Sequence, residues 1–359
     1  MGTIIYILLA LLLLGIMVTV HELGHFCAAR ACGIAVRAFG VGFGPKLLSW
    51  TGKKSGTEYS LRLVPCGGFC AFYGEDDAQG KDKEDPRSML LQPAWKRLIT
   101  IAAGPVMNFV LAFVVALAFF MGYGLPYADG PIVTTVQSVS AGSPAEQAGF
   151  QANDVILSVN DQAINGNLST YVDAWQTGDA PLRVTVQRGG EQVELQVTPF
   201  DSEAEGRKLI GVNILLMRQG ETVWRRAPFG TTLSHTWDVC VSAGGAILDA
   251  LGRLITRGEG VDQMSGPVGV ITQIAEQTRE YKLMGYLNVL IMISINLGLV
   301  NLLPIPGLDG CRILFVLFEM IFRRPVNRKV EAYIHLAGYL LLLGVMVYFT
   351  FHDVINIFA

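Results

Sequence analysis

The sequence predicts a polytopic α-helical membrane protein with four transmembrane helices, a membrane-associated β-hairpin region and one inserted extracytoplasmic α/β domain. Three observations carry that expectation. Of 359 residues, 51 % are hydrophobic and 16 % charged, with a mean hydropathy of +0.43, which excludes a disordered chain. Four stretches, near residues 3–31, 98–123, 287–303 and 333–351, meet the roughly 20-residue apolar criterion for a span. Between the second and third spans the chain turns polar and carries 11 basic and 18 acidic residues.

The first span has no charged residue from Thr3 to Val20 and ends in His21-Glu22-Leu23-Gly24-His25. The first arginine is Arg30, so no basic region precedes the apolar run, and the stretch reads as a span rather than a signal peptide. The motif is H-E-x-x-H. On a helix, residues four apart share a face, so His21 and His25 present two imidazoles to one ion, with Glu22 beside them as general base. A structural polar knot of the same three side chains is the bland alternative. Ionisable groups at membrane depth are costly, which favours the functional reading.

Residues 30–97 hold 11 Lys and Arg against 7 Asp and Glu, and Arg312, Arg323, Arg324, Arg328 and Lys329 crowd the gap between spans three and four. The positive-inside rule puts both segments in the cytoplasm and the middle segment outside. Within the first of them, Tyr59 to Val64 alternates at strand period, Pro65 and Gly67-Gly68 interrupt it, and Phe69 to Phe72 resumes. We expect short strands and turns over 36–75 at the membrane edge beside the motif, and a solvated loop over Glu75 to Arg87.

The middle segment opens as an α/β domain over 126–200: a strand at 132–139, a capped helix at 143–149, a strand at 154–160, a helix at 168–175, and a hairpin of 182–188 with 191–198 turned at Gly189-Gly190. A linker over 201–282 follows. In it, Phe229 to Ile255 reads as an amphipathic helix on the outer membrane face, with His235 at the surface. Ser265-Gly266-Pro267-Val268-Gly269 turns the chain back to the membrane. The expected organisation is thus an N-terminal membrane half over 1–125, the domain over 126–200, the linker over 201–282 and a C-terminal membrane half over 283–359. Six cysteines are present, one of them (Cys240) in the middle segment, so no disulfide forms within that segment, and Cys66 and Cys70 read as ordinary thiols. A net charge of −3 gives no sign of a nucleic-acid partner.

Two histidines leave a catalytic metal short of its usual three protein ligands. The stretch Asn301-Leu302-Leu303-Pro304-Ile305-Pro306-Gly307-Leu308-Asp309-Gly310 ends the third span, and its two prolines break the helix. Asp309 is therefore either the third ligand or an N-cap for the helix that follows. His335 and Glu331 are rival ligands.

H-E-x-x-H closing span one, together with N-x-x-P-x-P-x-L-D-G closing span three, resembles the site-2 protease family of intramembrane metalloproteases. The nearest likeness is to its bacterial regulator-of-sigma-E type. Gly42-Phe43-Gly44, Pro65 to Phe72, Gly142 to Gly149 and Ser265 to Gly269 match as well. The resemblance implies Zn2+ held by His21, His25 and Asp309, Glu22 as catalytic base, and Asn301 touching substrate or the oxyanion. It makes 126–200 a single PDZ-like domain, where some members have two in tandem. It further implies residence in the bacterial cytoplasmic membrane. The implied substrates are transmembrane segments already trimmed outside, such as an anti-sigma factor or a signal-peptide remnant. Two other readings stand beside it: a membrane metalloprotease cutting cytoplasmic-face loops, and a non-catalytic PDZ scaffold.

Overall fold

The computed structural model describes residues 2–74, 85–128, 130–164, 180–202, 207–218, 222–258 and 265–358. The chain divides into two compact units, 1–122 with 227–359, and 123–226. The expected loop over Glu75 to Arg87 lies mostly outside the described residues, and the expected helix at 168–175 lies entirely outside them.

The first unit is helical. α1 (Gly2–Ala31) and α2 (Ala94–Tyr123) are each 30 residues long, about 45 Å at 1.5 Å per residue. α4 (Phe229–Arg257), α5 (Pro267–Leu302), α6 (Asp309–Phe322) and α7 (Arg328–Phe358) come from the second half of the chain. α1, α2, α5 and α7 each carry a stretch long and apolar enough to cross a membrane. Side chains such as Ile4, Leu8, Val114, Leu340 and Phe351 are exposed, a pattern suited to a lipid solvent. α5 begins at Pro267, some twenty residues before the expected span. It is sharply bent at Lys282 (φ 54°, ψ −129°), a backbone conformation that period analysis does not reveal. α4 spans the expected amphipathic stretch, but His235 is half-buried, its ring edge-on to Phe120 at 4.8 Å.

Between α1 and α2 the chain forms two long strands, β1 (Val36–Thr51) and β2 (Glu58–Phe72). Each bends into two segments. Residues 38–41 pair on one side with 68–71 and on the other with 58–61, and 58–61 pair in turn with 48–51. The segment order is thus 68–72, 36–41, 58–62, 46–51, and among the described residues 68–72 is paired along one edge only. Gly15 is where α1 meets this sheet: a Cβ there would sit 1.9 Å from the Pro65 carbonyl oxygen. One core joins Ala29, Val36, Phe72, Ile101 and Val316, and so ties α1, the sheet, α2 and α6 together. A second joins Leu13 and Met17 of α1 to Ile274 and Leu290 of α5.

The second unit is built on an antiparallel sheet ordered β11 (Val212–Arg218), β4 (Ile132–Val139), β5 (Val155–Val159), β7 (Leu182–Arg188), β8 (Glu191–Val197), with β6 (Gln162–Ala163) beside β5. α3 (Pro144–Gln147) starts at Ser143, whose hydroxyl accepts from the Glu146 amide. Val136, Ile156, Val159, Val184 and Val186 form its core, and the Arg188 guanidinium closes over the fully buried Asp154 carboxylate at 2.6 Å. The sheet corrects one expected boundary. β11 pairs along the whole of β4, so residues from 201 to 226 belong to this unit and not to a linker. β3 (Leu125–Ala128) and β12 (Thr222–Arg225) pair and bring its two ends together. β9 (Phe200–Ser202) and β10 (Arg207–Leu209) form a small hairpin.

Candidate metal centre

The site begins with the periodicity of α1. His21 and His25 stand one turn apart, both 7 % exposed, with ring centroids 4.8 Å apart. The third group arrives from 288 residues further on. α5 stops at Leu302 because Pro304 and Pro306 cannot continue it. Gly307 turns the chain at φ +99°, and Asp309 becomes the first residue of α6 after Leu308 as N-cap. Asp309 is thus not the cap. Its Oδ2 lies 3.0 Å from His21 Nε2 and 3.3 Å from His25 Nε2, and the two Nε2 atoms are 3.2 Å apart.

Three ligand atoms at 3.0–3.3 Å from one another fit a small tetrahedral cation. With bonds of about 2.0–2.1 Å, such an ion sets its ligand atoms about 3.3 Å apart. Among the described residues these three make the one metal-capable group. His335, the rival ligand, turns elsewhere: its Nδ1 accepts from the Gly307 amide at 3.1 Å, so it braces the loop before Asp309. Glu331 is not in the group.

Glu22 faces the same cavity, of about 450 Å³, which His21, His25, Asp309, Asn301, Arg312 and Phe69 to Phe72 also line. The backbone amide of Cys70, in the strand segment that lines the cavity, donates to the Glu22 carboxylate. Asn301 reaches the cavity while its Nδ2 donates to Leu297 in its own helix, at 3.0 Å.

Sequence reasoning missed the wall behind the histidines. Thr100, Gly104 and Asn108 lie four apart on α2 and form one face. The Thr100 carbonyl accepts from His25 Nδ1 at 2.9 Å, and the Asn108 amide lies 3.2 Å from His21 Nδ1. Gly104 gives the rings their room: a Cβ there would stand 2.2 Å from His25 Nε2 and 2.9 Å from His21 Nε2. The available signal was a glycine and an asparagine, four apart, inside an otherwise apolar span.

Comparison with known proteins places the chain among metalloproteases. The model of peptidase family M50 matches residues 9–345. Metalloprotease MmpA of Caulobacter vibrioides is 31 % identical, over 98 % of this chain and 96 % of its own. The regulator of sigma-W protease RasP of Bacillus subtilis is 29 % identical, over 97 % and 98 %, and the zinc metalloprotease RasP of Oceanobacillus iheyensis 28 %, over the same shares. A solved PDZ domain of an SdrC-like protein from Listeria monocytogenes matches 25 % of this chain and 90 % of that one, at 18 % identity and a TM-score of 0.22.

Proposed function

The chain belongs to peptidase family M50, the site-2 proteases, and is a membrane zinc metalloendopeptidase; from that premise we propose that it hydrolyses peptide bonds within the transmembrane segments of single-span substrates. The observation that carries the reading is the convergence of His21, His25 and Asp309 on one point, with Glu22 across the same cavity. In this reading those three side chains hold the ion. When bound, zinc supplies Lewis-acid polarisation and acidifies water. Glu22 takes the proton from the attacking water and passes it to the departing amine. The Cys70 amide keeps that carboxylate turned to the cavity. Asn301, on the cavity wall, supports the oxyanion with an amide hydrogen.

A peptide bond inside a helix is shielded by its own hydrogen bonds, so the substrate must unwind before attack. The strand segment 68–72, which lines the cavity and holds the Glu22 contact at Cys70, offers an extended substrate a strand to lie along. We place the sheet and the metal centre toward the cytoplasmic side of the bacterial cytoplasmic membrane, from the excess of Lys and Arg over 30–97 and 312–329. The 123–226 unit then lies outside. There it acts as a PDZ-like filter that admits substrates already trimmed of an external domain. The relative named regulator of sigma-W protease favours an anti-sigma factor as substrate class, with signal-peptide remnants a second class of the same form.

The test is a comparison of membrane peptides between cells carrying the native chain and Glu22→Gln. Accumulation of an uncut single-span protein in the variant supports the reading and identifies the substrate. Accumulation of proteins cut only in cytoplasmic loops would replace it with a loop protease.

A further inference from the structure

Asn108 is an amide buried to 0 % exposure in an apolar helix, a position where an unpaired polar group is expensive. Its Nδ2 lies 3.2 Å from His21 Nδ1, and its Oδ1 is enclosed without a partner. Its backbone carbonyl accepts from the buried Ser294 hydroxyl at 2.9 Å, which pins this turn of α2 to α5. The side chain is therefore held against His21, and its two ends are not equally satisfied.

We propose that Asn108 is a positioning residue for the metal centre, its amide selecting the His21 tautomer that can bind an ion through Nε2. The proposal rests on the reading that His21, His25 and Asp309 hold the zinc. A neutral imidazole carries one proton. If Nε2 is to offer a lone pair, the proton sits on Nδ1 and needs an acceptor. For His25 that acceptor is the Thr100 carbonyl. For His21 the Asn108 amide is the group at that position. With Nδ2 toward His21, the amide donates to Nδ1, the ring proton sits on Nε2, and His21 donates to Asp309 Oδ2 at 3.0 Å instead of ligating. A half-turn of the amide exchanges Oδ1 and Nδ2 almost without change of shape. Oδ1 then accepts from Nδ1–H and the Nε2 lone pair faces the point shared with His25 and Asp309. The same face of α2 thus serves both rings, one through a carbonyl that cannot turn and one through an amide that can.

The test measures zinc affinity of the full chain in detergent against graded chelator, with Co2+ absorption as a second readout, in Asn108→Leu and Asn108→Asp. Leucine keeps the branching and heavy-atom count and removes the acceptor; ionised aspartate keeps an acceptor and has no hydrogen to donate. Loss of an outer partner of a ligating histidine typically costs 10–100-fold in metal affinity. We expect that loss, with a perturbed Co2+ spectrum, in Asn108→Leu, and affinity equal to or above the native chain in Asn108→Asp. Native affinity in Asn108→Leu, or equal loss in both variants from whatever cause, overturns the proposal. His21→Ala separates the two levels. Its loss of zinc beside an unaffected Asn108→Leu removes the Asn108 role alone, while native affinity in His21→Ala removes the ligand reading as well.

Discussion

At the scale of single residues, what is missing from Gly104 matters as much as what Glu22 supplies. Alanine is the better helix former by about 1 kcal/mol, so Gly104→Ala would stabilise an isolated helix. Here its Cβ would stand 2.2 Å from His25 Nε2 and 2.9 Å from His21 Nε2, and the rings would have to leave the point they share. We expect the purified variant to keep its helical content and lose its zinc, as read by metal analysis beside circular dichroism. Glu22→Gln should do the reverse. Its carboxylate is no part of the ligand group, so zinc stays bound while peptide hydrolysis falls by about 10²–10⁴, the usual share of a general base. Loss of metal in Glu22→Gln would instead make it a ligand or a structural prop.

At the scale of elements, the strand segment 68–72 has two jobs. One edge is paired with β1, and on the other the Cys70 amide meets Glu22. Proline lacks that N–H and is tolerated on the free edge of a strand. Cys70→Pro should therefore leave the sheet paired and release the Glu22 carboxylate. A hydrogen bond to a charged group contributes about 1.5–3 kcal/mol, which corresponds to a loss of roughly tenfold or more in kcat. Cys70→Ala keeps the amide and should keep the rate. Equal losses in both would mean that the thiol, not the backbone, is what counts. The loop before Asp309 shows the same economy: Pro304 and Pro306 end α5, Gly307 turns, and His335 from α7 accepts the Gly307 amide.

At the scale of the whole molecule, the 123–226 unit is inserted with its ends side by side, since Leu125 pairs with Arg225 across β3 and β12. Chain ends that meet allow a unit to be replaced by a short linker. Removing 126–200 alone would be a different experiment, because it strips β4 away and leaves β11 with an unpaired edge, an aggregation hazard. We expect replacement of the entire 123–226 unit to leave zinc binding intact and to permit cleavage of untrimmed substrate, scored by immunoblot of membrane fractions. Continued dependence on prior trimming would end the filter reading of this unit.

The four apolar helices, the H-E-x-x-H pair and the alternating strands of the inserted unit were legible in the sequence. Each is a local pattern: an 18-residue apolar window, two residues one turn apart, a period of two. So was the suspicion of Asp309, from prolines that break a helix. What one chain of letters does not state is which distant segments meet. That Asp309 stands beside the two histidines and is not the helix cap came from a meeting across 288 residues, and the place of β11 came from pairing with a strand some 80 residues earlier. Thr100, Gly104 and Asn108 gained their significance from packing against rings on another helix. Hydrophobic period and backbone propensity act within a few turns of chain, whereas partner choice in a packed interior depends on shape and on unpaired donors from everywhere else. Local pattern therefore fixes the elements and the chemistry on offer, and packing between distant segments fixes which side chains face one another.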